Sequence, residues 1–140
     1  MPALGIPTPA HLSPLLLAQE FVRKQPWRLL TVCILLNRTN GVKQVKPMLA
    51  DFFDRWPTPE RFLQEDIQNV KAFIKPLGFQ NIRYDRLLGM TKDYLSGKRP
   101  PTDKLKGVGL YAIQSYEIFV GGYLVLEPHD KELKAYVRWA

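Results

Sequence analysis

Cysteine is almost missing from this sequence: Cys33 is the only one in 140 residues. One thiol cannot close a disulfide within the chain, build a thiolate zinc cluster or ligate a four-cysteine iron–sulfur centre. A reducing, intracellular compartment is its simplest home. Long apolar runs are missing as well. Leu15 to Leu17 and Leu29 to Leu36 fall far short of the roughly 20 apolar residues that cross a bilayer. The N-terminus lacks the basic, apolar and small-residue order of a signal peptide. No internal repeat, low-complexity tract or glycine-rich nucleotide-phosphate loop is present. Acidic residues are the minority, 13 against 20 Lys+Arg, and the resulting net charge of +7 suits a polyanionic partner. The apolar share of 46% and the length suffice for one domain around one core.

Most of what is present reads as helix. Residues 1–12, with three prolines and almost no charge, are expected to form an extended or disordered leader. Residues 13–140 form the domain. Ser13-Pro14 reads as N-cap and first residue of a helix carrying Leu16, Leu17, Gln19, Glu20 and Phe21, ending before Pro26. Pro26-Trp27 opens a second helix, apolar nearly all round, in which Cys33 is a buried small hydrophobe. It ends at Asn37-Arg38-Thr39-Asn40-Gly41, where Arg38 is either a solvated helix end or a functional cation. Val42 to Trp56 repeats apolar residues at spacings of three and four. Thr58 and Asp66 read as N-caps of two short helices, the second stopped by Pro76. In Lys75-Pro76-Leu77-Gly78-Phe79 two large apolar residues flank a glycine among basic neighbours. They either cover the core or form a wedge able to enter a base stack. A further helix, Asn81 to Leu95, closes at Gly97 and leads through a basic Lys98-Arg99-Pro100-Pro101 linker to a second glycine turn.

That turn, Leu105-Lys106-Gly107-Val108-Gly109, precedes an amphipathic run starting at Leu110. Two glycines spaced by one residue let backbone N–H groups approach a phosphate, at a helix N-terminus that favours an anion, with Lys104 and Lys106 alongside. The plainer reading is a glycine C-cap between packed helices. Downstream, Glu127-Pro128-His129-Asp130 leads into Leu133 and Tyr136. Asp130 is an N-cap on its own evidence and, next to the hairpin, a candidate catalytic carboxylate.

Hairpin, helix, loop and P-x-D-x-x-L-x-x-Y together resemble the second half of the helix-hairpin-helix DNA glycosylase superfamily. Pro26-Trp27-Arg28-Leu29-Leu30, Leu36-Asn37-Arg38-Thr39, Lys75-Pro76-Leu77-Gly78, Gly107-Val108-Gly109-Leu110-Tyr111 and Pro128-x-Asp130 extend the likeness to the glycosylase domains of methyl-CpG-binding-domain mismatch glycosylases, acting on thymine and uracil. The resemblance covers about Ser13 to Trp139. It implies an all-α, two-lobed fold and a monofunctional glycosylase of base excision repair. Such an enzyme flips and hydrolytically removes thymine or uracil from G·T and G·U mismatches in double-stranded DNA. By the same resemblance Asp130 matches the catalytic aspartate and Tyr111 a tyrosine of the catalytic pocket. Gln19 matches a base-binding glutamine, Arg38 the arginine entering the duplex, and Phe79, with Leu77, the apolar wedge. Lys104, Lys106, Gly107, Val108 and Gly109 match the phosphate grip. Branches that also cut the strand carry lysine where Tyr111 stands, so no strong lyase activity is expected. No cofactor is implied beyond a structural monovalent cation at the hairpin, and the protein should be a DNA-associated monomer, nuclear if eukaryotic. Phe79 in place of leucine, Lys106 in place of proline and the sequence around Asp130 depart from the family's usual pattern. The chain stops soon after Asp130, so a short last helix without an attached methyl-CpG-binding domain is expected. Two other readings remain: a non-catalytic helix-hairpin-helix module that binds duplex DNA, and a glycosylase of this fold acting on adenine or alkylated bases.

Overall fold

The structure, a computed structural model, describes residues 5–37 and 42–140, with residues 42–44 described by their backbone alone. Among the described residues regular structure is helical, with one isolated bridge between Pro7 and Tyr123. Helix α1, Pro26–Leu36, starts with proline at its first turn, where a missing N–H is harmless. Its residues from Leu29 to Leu35 are buried on every side, as a helix apolar all round must be. It runs between two groups of elements and is packed by both.

The first group is the middle of the chain: α2 (Val42–Arg55), α3 (Pro59–Gln64), α4 (Ile67–Ile74) and α5 (Gln80–Leu95). Thr58 and Asp66 cap α3 and α4, accepting from the N–H groups of Arg61 and Gln68, as the sequence predicts. Phe52, Trp56, Phe62 and Phe73 meet mostly edge to face, and Trp27 of α1 joins them through Phe53 and Phe62. The Trp27 indole N–H donates to Thr91 Oγ1 at 3.0 Å, tying α1 to α5. The second group holds the N-terminal segment, α6 (Leu110–Phe119) and α7 (Lys131–Trp139), joined by Phe119 on Tyr136. The residue 1–12 leader is extended where described, and it is packed. Thr8 N–H donates to Gly122 O at 2.8 Å, its hydroxyl to Ile118 O at 2.6 Å, and His11 meets Trp139 edge to face.

The helix expected over residues 13–25 does not form. A 3-10 turn, Ala18–Val22, stands in its place, with Leu16 and Lys24 in the left-handed region at φ 48° and 59°. The cause is Glu20. Its carboxylate is buried and accepts from Ser13 N–H at 2.6 Å, Ser13 Oγ at 2.7 Å and Leu17 N–H at 2.7 Å. A charge-assisted cluster of three donors on one buried carboxylate outweighs the small advantage of continuing a helix. Two faces of the chain around Glu20 then diverge, and Gln19 points into the interior beside α6.

Candidate active site

Gln19 is 2% exposed, and its side-chain N–H donates to Tyr111 Oη at 2.6 Å across 92 residues of sequence. A longer contact, 3.5 Å, reaches Ser115 Oγ, one turn further along α6. Ser115 in turn hydrogen-bonds the Cys33 thiol, which enters from α1. Gln19, Tyr111, Ser115 and Cys33 thus line one polar seam where the Glu20 turn, α1 and α6 meet. Burial, together with the charge of Asp130, pushes the Cys33 thiol up to about 12, so it is protonated at neutral pH. Burial first, then Cys33 and Asp130, raises Tyr111 well above the ordinary phenol range. Both shifts carry a contribution from the Asp130 charge, which places it within electrostatic range of these groups. Because Gln19 donates to the Tyr111 oxygen, the phenol proton is directed away from Gln19.

Asp130 is held by the helix it starts. Its Oδ2 accepts from Leu133 N–H at 3.0 Å, capping α7, and its backbone is extended. The preceding loop is fixed by α6: Gln114 Oε1 accepts from His129 N–H at 3.1 Å. The capping reading of Asp130 therefore holds, with one carboxylate oxygen engaged in the cap.

The hairpin packs on α5. Gly107 adopts φ 78°, and a Cβ there would lie 2.8 Å from Arg86 Cβ, so glycine is required twice over. Gly109 has open space before it at the start of α6. Lys104 is exposed and Val108 partly buried. Lys106 is engaged within the protein: its N–H donates to Asp93 Oδ2 at 2.8 Å, and its ammonium pairs with Asp85 at 2.8 Å. Lys106 would have to exchange Asp85 for any phosphate. Of the two expected apolar tips only one is presented. Leu77 is a correction: it closes a 3-10 turn, Lys75–Leu77, and turns into the core, whereas Phe79 is 68% exposed in the left-handed region at φ 50°. The turn reverses direction at Gly78, so residues on either side of it face opposite ways. Arg38 lies outside the described residues.

Sequence reasoning passed over Ser115 and Gln114, while its reading of Cys33 as a buried small hydrophobe holds. Ser115 was open to discovery, since it stands four residues after Tyr111 on one helix face. Among the described residues no group of three or more His, Cys, Asp or Glu side chains gathers to hold a metal.

No family model matches the chain. It is 33% identical over 125 residues to a Methyl-CpG-binding domain protein 4-like protein of Arabidopsis thaliana, covering 89% of this chain and 28% of that protein. It is 35% identical over 94 residues to a thymine/uracil-DNA glycosylase of Pyrobaculum aerophilum, covering 62% of this chain and 40% of that one. A thymine-DNA glycosylase of Aeropyrum pernix is 31% identical over 93 residues, which cover 61% of this chain and 41% of that protein. The chain thus spans less than half the length of these relatives. Among solved structures, a thermostable thymine-DNA glycosylase superposes with a TM-score of 0.64 at 26% identity, over 71% of this chain and 49% of that one. Endonuclease III in a DNA complex superposes at 0.62 and 19% identity, over 73% and 51%, a likeness of fold. By fold and by sequence, the chain belongs to the helix-hairpin-helix DNA glycosylase superfamily, similar to its thymine- and uracil-specific members.

Proposed function

We propose that this protein is a monofunctional DNA glycosylase that extrudes thymine or uracil from G·T and G·U pairs and releases the base by hydrolysis. The observation carrying this reading is the hydrogen bond from buried Gln19 to partly buried Tyr111, with the Asp130 charge close enough to act on the phenol. Gln19 offers an amide, the group that can donate to and accept from the edge of a pyrimidine. The neutral Tyr111 phenol, held by Gln19, keeps its own proton free to donate. As the C1′–N1 bond breaks, its electron pair leaves with the base and positive charge grows on C1′ and the ring oxygen. The Asp130 carboxylate, fixed by its cap, stabilises that charge and orients the water that adds to C1′. One water proton is lost as the base takes one up, leaving free base and an abasic site.

Duplex DNA is the proposed partner. The +7 charge, Lys104 and the open Gly109 approach support backbone contacts, with Phe79 filling the stack behind the extruded nucleotide. Tyr111 stands where a strand-cutting relative would need an amine, which favours simple hydrolysis. The test is single-turnover excision from G·T, G·U and control duplexes, with mass spectrometry of the released base. Asp130→Asn should lower excision by at least about 100-fold, a loss of roughly 2.7 kcal/mol of transition-state stabilisation, and leave duplex affinity within about tenfold. Release of adenine or an alkylated purine instead would replace the substrate assignment, and duplex binding without any release would replace the catalytic one.

A further inference from the structure

Arg83, on α5, is only 3% exposed, and its guanidinium is spread over two separate segments of backbone. Nη1 donates to the carbonyls of Ile34 (3.3 Å), Leu35 (3.1 Å) and Asn37 (2.8 Å), the last carbonyls of α1 and its C-cap. Nε donates to Gly78 O at 2.8 Å, and Nη2 reaches Leu77 O at 3.4 Å. The Arg83 backbone N–H also closes on Phe79 O at 2.9 Å. Helix α1 carries no basic residue in its own last turn, so the cation that complements its C-terminal dipole comes from α5. The turn it grips holds two successive residues at positive φ, Gly78 at 79° and Phe79 at 50°, a conformation a phenylalanine keeps only when its surroundings impose it. A small recess of about 80 Å³ between Asn37, Phe79, Ile82, Arg83 and Arg86 marks where the two segments come together.

Resting on the glycosylase reading above, we propose that Arg83 is a positioning residue that locks the end of α1, which the chain leaves toward Arg38, to the turn that presents Phe79. One planar group then sets the register of Phe79 against the C-terminal end of α1. A lysine at this position keeps the charge and most of the stem, but its single ammonium cannot serve both carbonyl sets at once. None of the Arg83 hydrogen bonds given above goes to Gln19, Tyr111, Ser115 or Asp130, so the substitution is aimed at the wedge and not at the base-binding residues.

The experiment compares wild type, Arg83→Lys and Arg83→Met in single-turnover uracil excision from a G·U duplex and from single-stranded DNA, each variant held well below its own melting midpoint. The expected result is a loss of at least about tenfold on the duplex and less than about twofold on the single strand, with Arg83→Lys the decisive variant if Arg83→Met fails to fold. Equal losses on both substrates, or no loss on the duplex, overturn the assignment. A second arm needs no chemistry: 2-aminopurine next to an abasic-site analogue brightens when a side chain unstacks it. Wild type should give a rise at saturation that Arg83→Lys reduces by at least half, and an undiminished rise overturns the assignment. Failure of wild type to release uracil from either substrate would instead sink the glycosylase reading, with the fluorescence arm still judging Arg83.

Discussion

Phe79 stands in solvent on backbone that favours glycine, and that combination separates the two readings its sequence context allows. A core phenylalanine cut to alanine costs about 3–5 kcal/mol. An exposed one should cost no more than about 0.5 kcal/mol, so the melting temperature of Phe79→Ala should stay within a few degrees of wild type. Excision from a duplex should still fall several-fold more than excision from single strands, because only the duplex must be held open. A large drop in melting temperature would return Phe79 to the core. Cys33 makes a second prediction, through pH. Its thiol is raised from 9.0 to about 12, so the folded state holds this proton when the unfolded chain releases it. The stabilisation is complete below pH 9 and lost as pH climbs from 9 toward 12. Urea titrations across that window should show a steeper alkaline loss for wild type than for Cys33→Ala. Parallel curves would mean that the thiol is not shielded. Asp130 and Tyr111 could be singled out from sequence because their neighbours form local motifs. Ser115 and Cys33 meet through tertiary packing, which no spacing records.

Among the elements, those whose start is written locally were legible: Pro26 before an apolar run, and Thr58 and Asp66 before short helices. The 13–25 segment was not. Its apolar spacing and its Ser-Pro start describe a helix, and a carboxylate turned inward overrides both. Glu20 therefore positions Gln19, although the two side chains leave the turn in different directions. Glu20→Gln replaces one acceptor oxygen by a donor facing N–H groups, so stability should fall by about 2–3 kcal/mol. Excision should fall further than that loss explains, measured well below the midpoint, because the Gln19–Tyr111 contact loses its footing. Retention of full activity would detach the turn from the pocket. The wedge turn shows the same limit of sequence reading. Leu77 and Phe79 are equally apolar in sequence, and only the reversal at Gly78 sends one inward and the other out.

On the scale of the whole molecule, the glycine hairpin was legible from punctuation and the two helical groups around α1 only through the family resemblance, while the pairing of Lys106 with Asp85 was not legible. Duplex affinity should weaken by about tenfold or more between roughly 50 and 200 mM salt, since even two displaced phosphate counterions give that slope. Asp85→Asn should free Lys106 and steepen the dependence, and a flat salt response would remove the electrostatic grip. The cap at Asp130 has a consequence for how the protein responds to heat. Its carboxylate is aimed by a bond to Leu133 N–H that exists only while the first turn of α7 is wound. Helix α7 has nine residues, too few to persist in water without its packing, which is anchored through Leu133 and Tyr136. Fraying of that one turn lets the carboxylate swing away while α1 and the aromatic cluster stay folded. Catalysis should therefore fade on warming several degrees before the bulk circular dichroism transition and return at once on cooling, a reversible thermal shut-off set by a single helical turn.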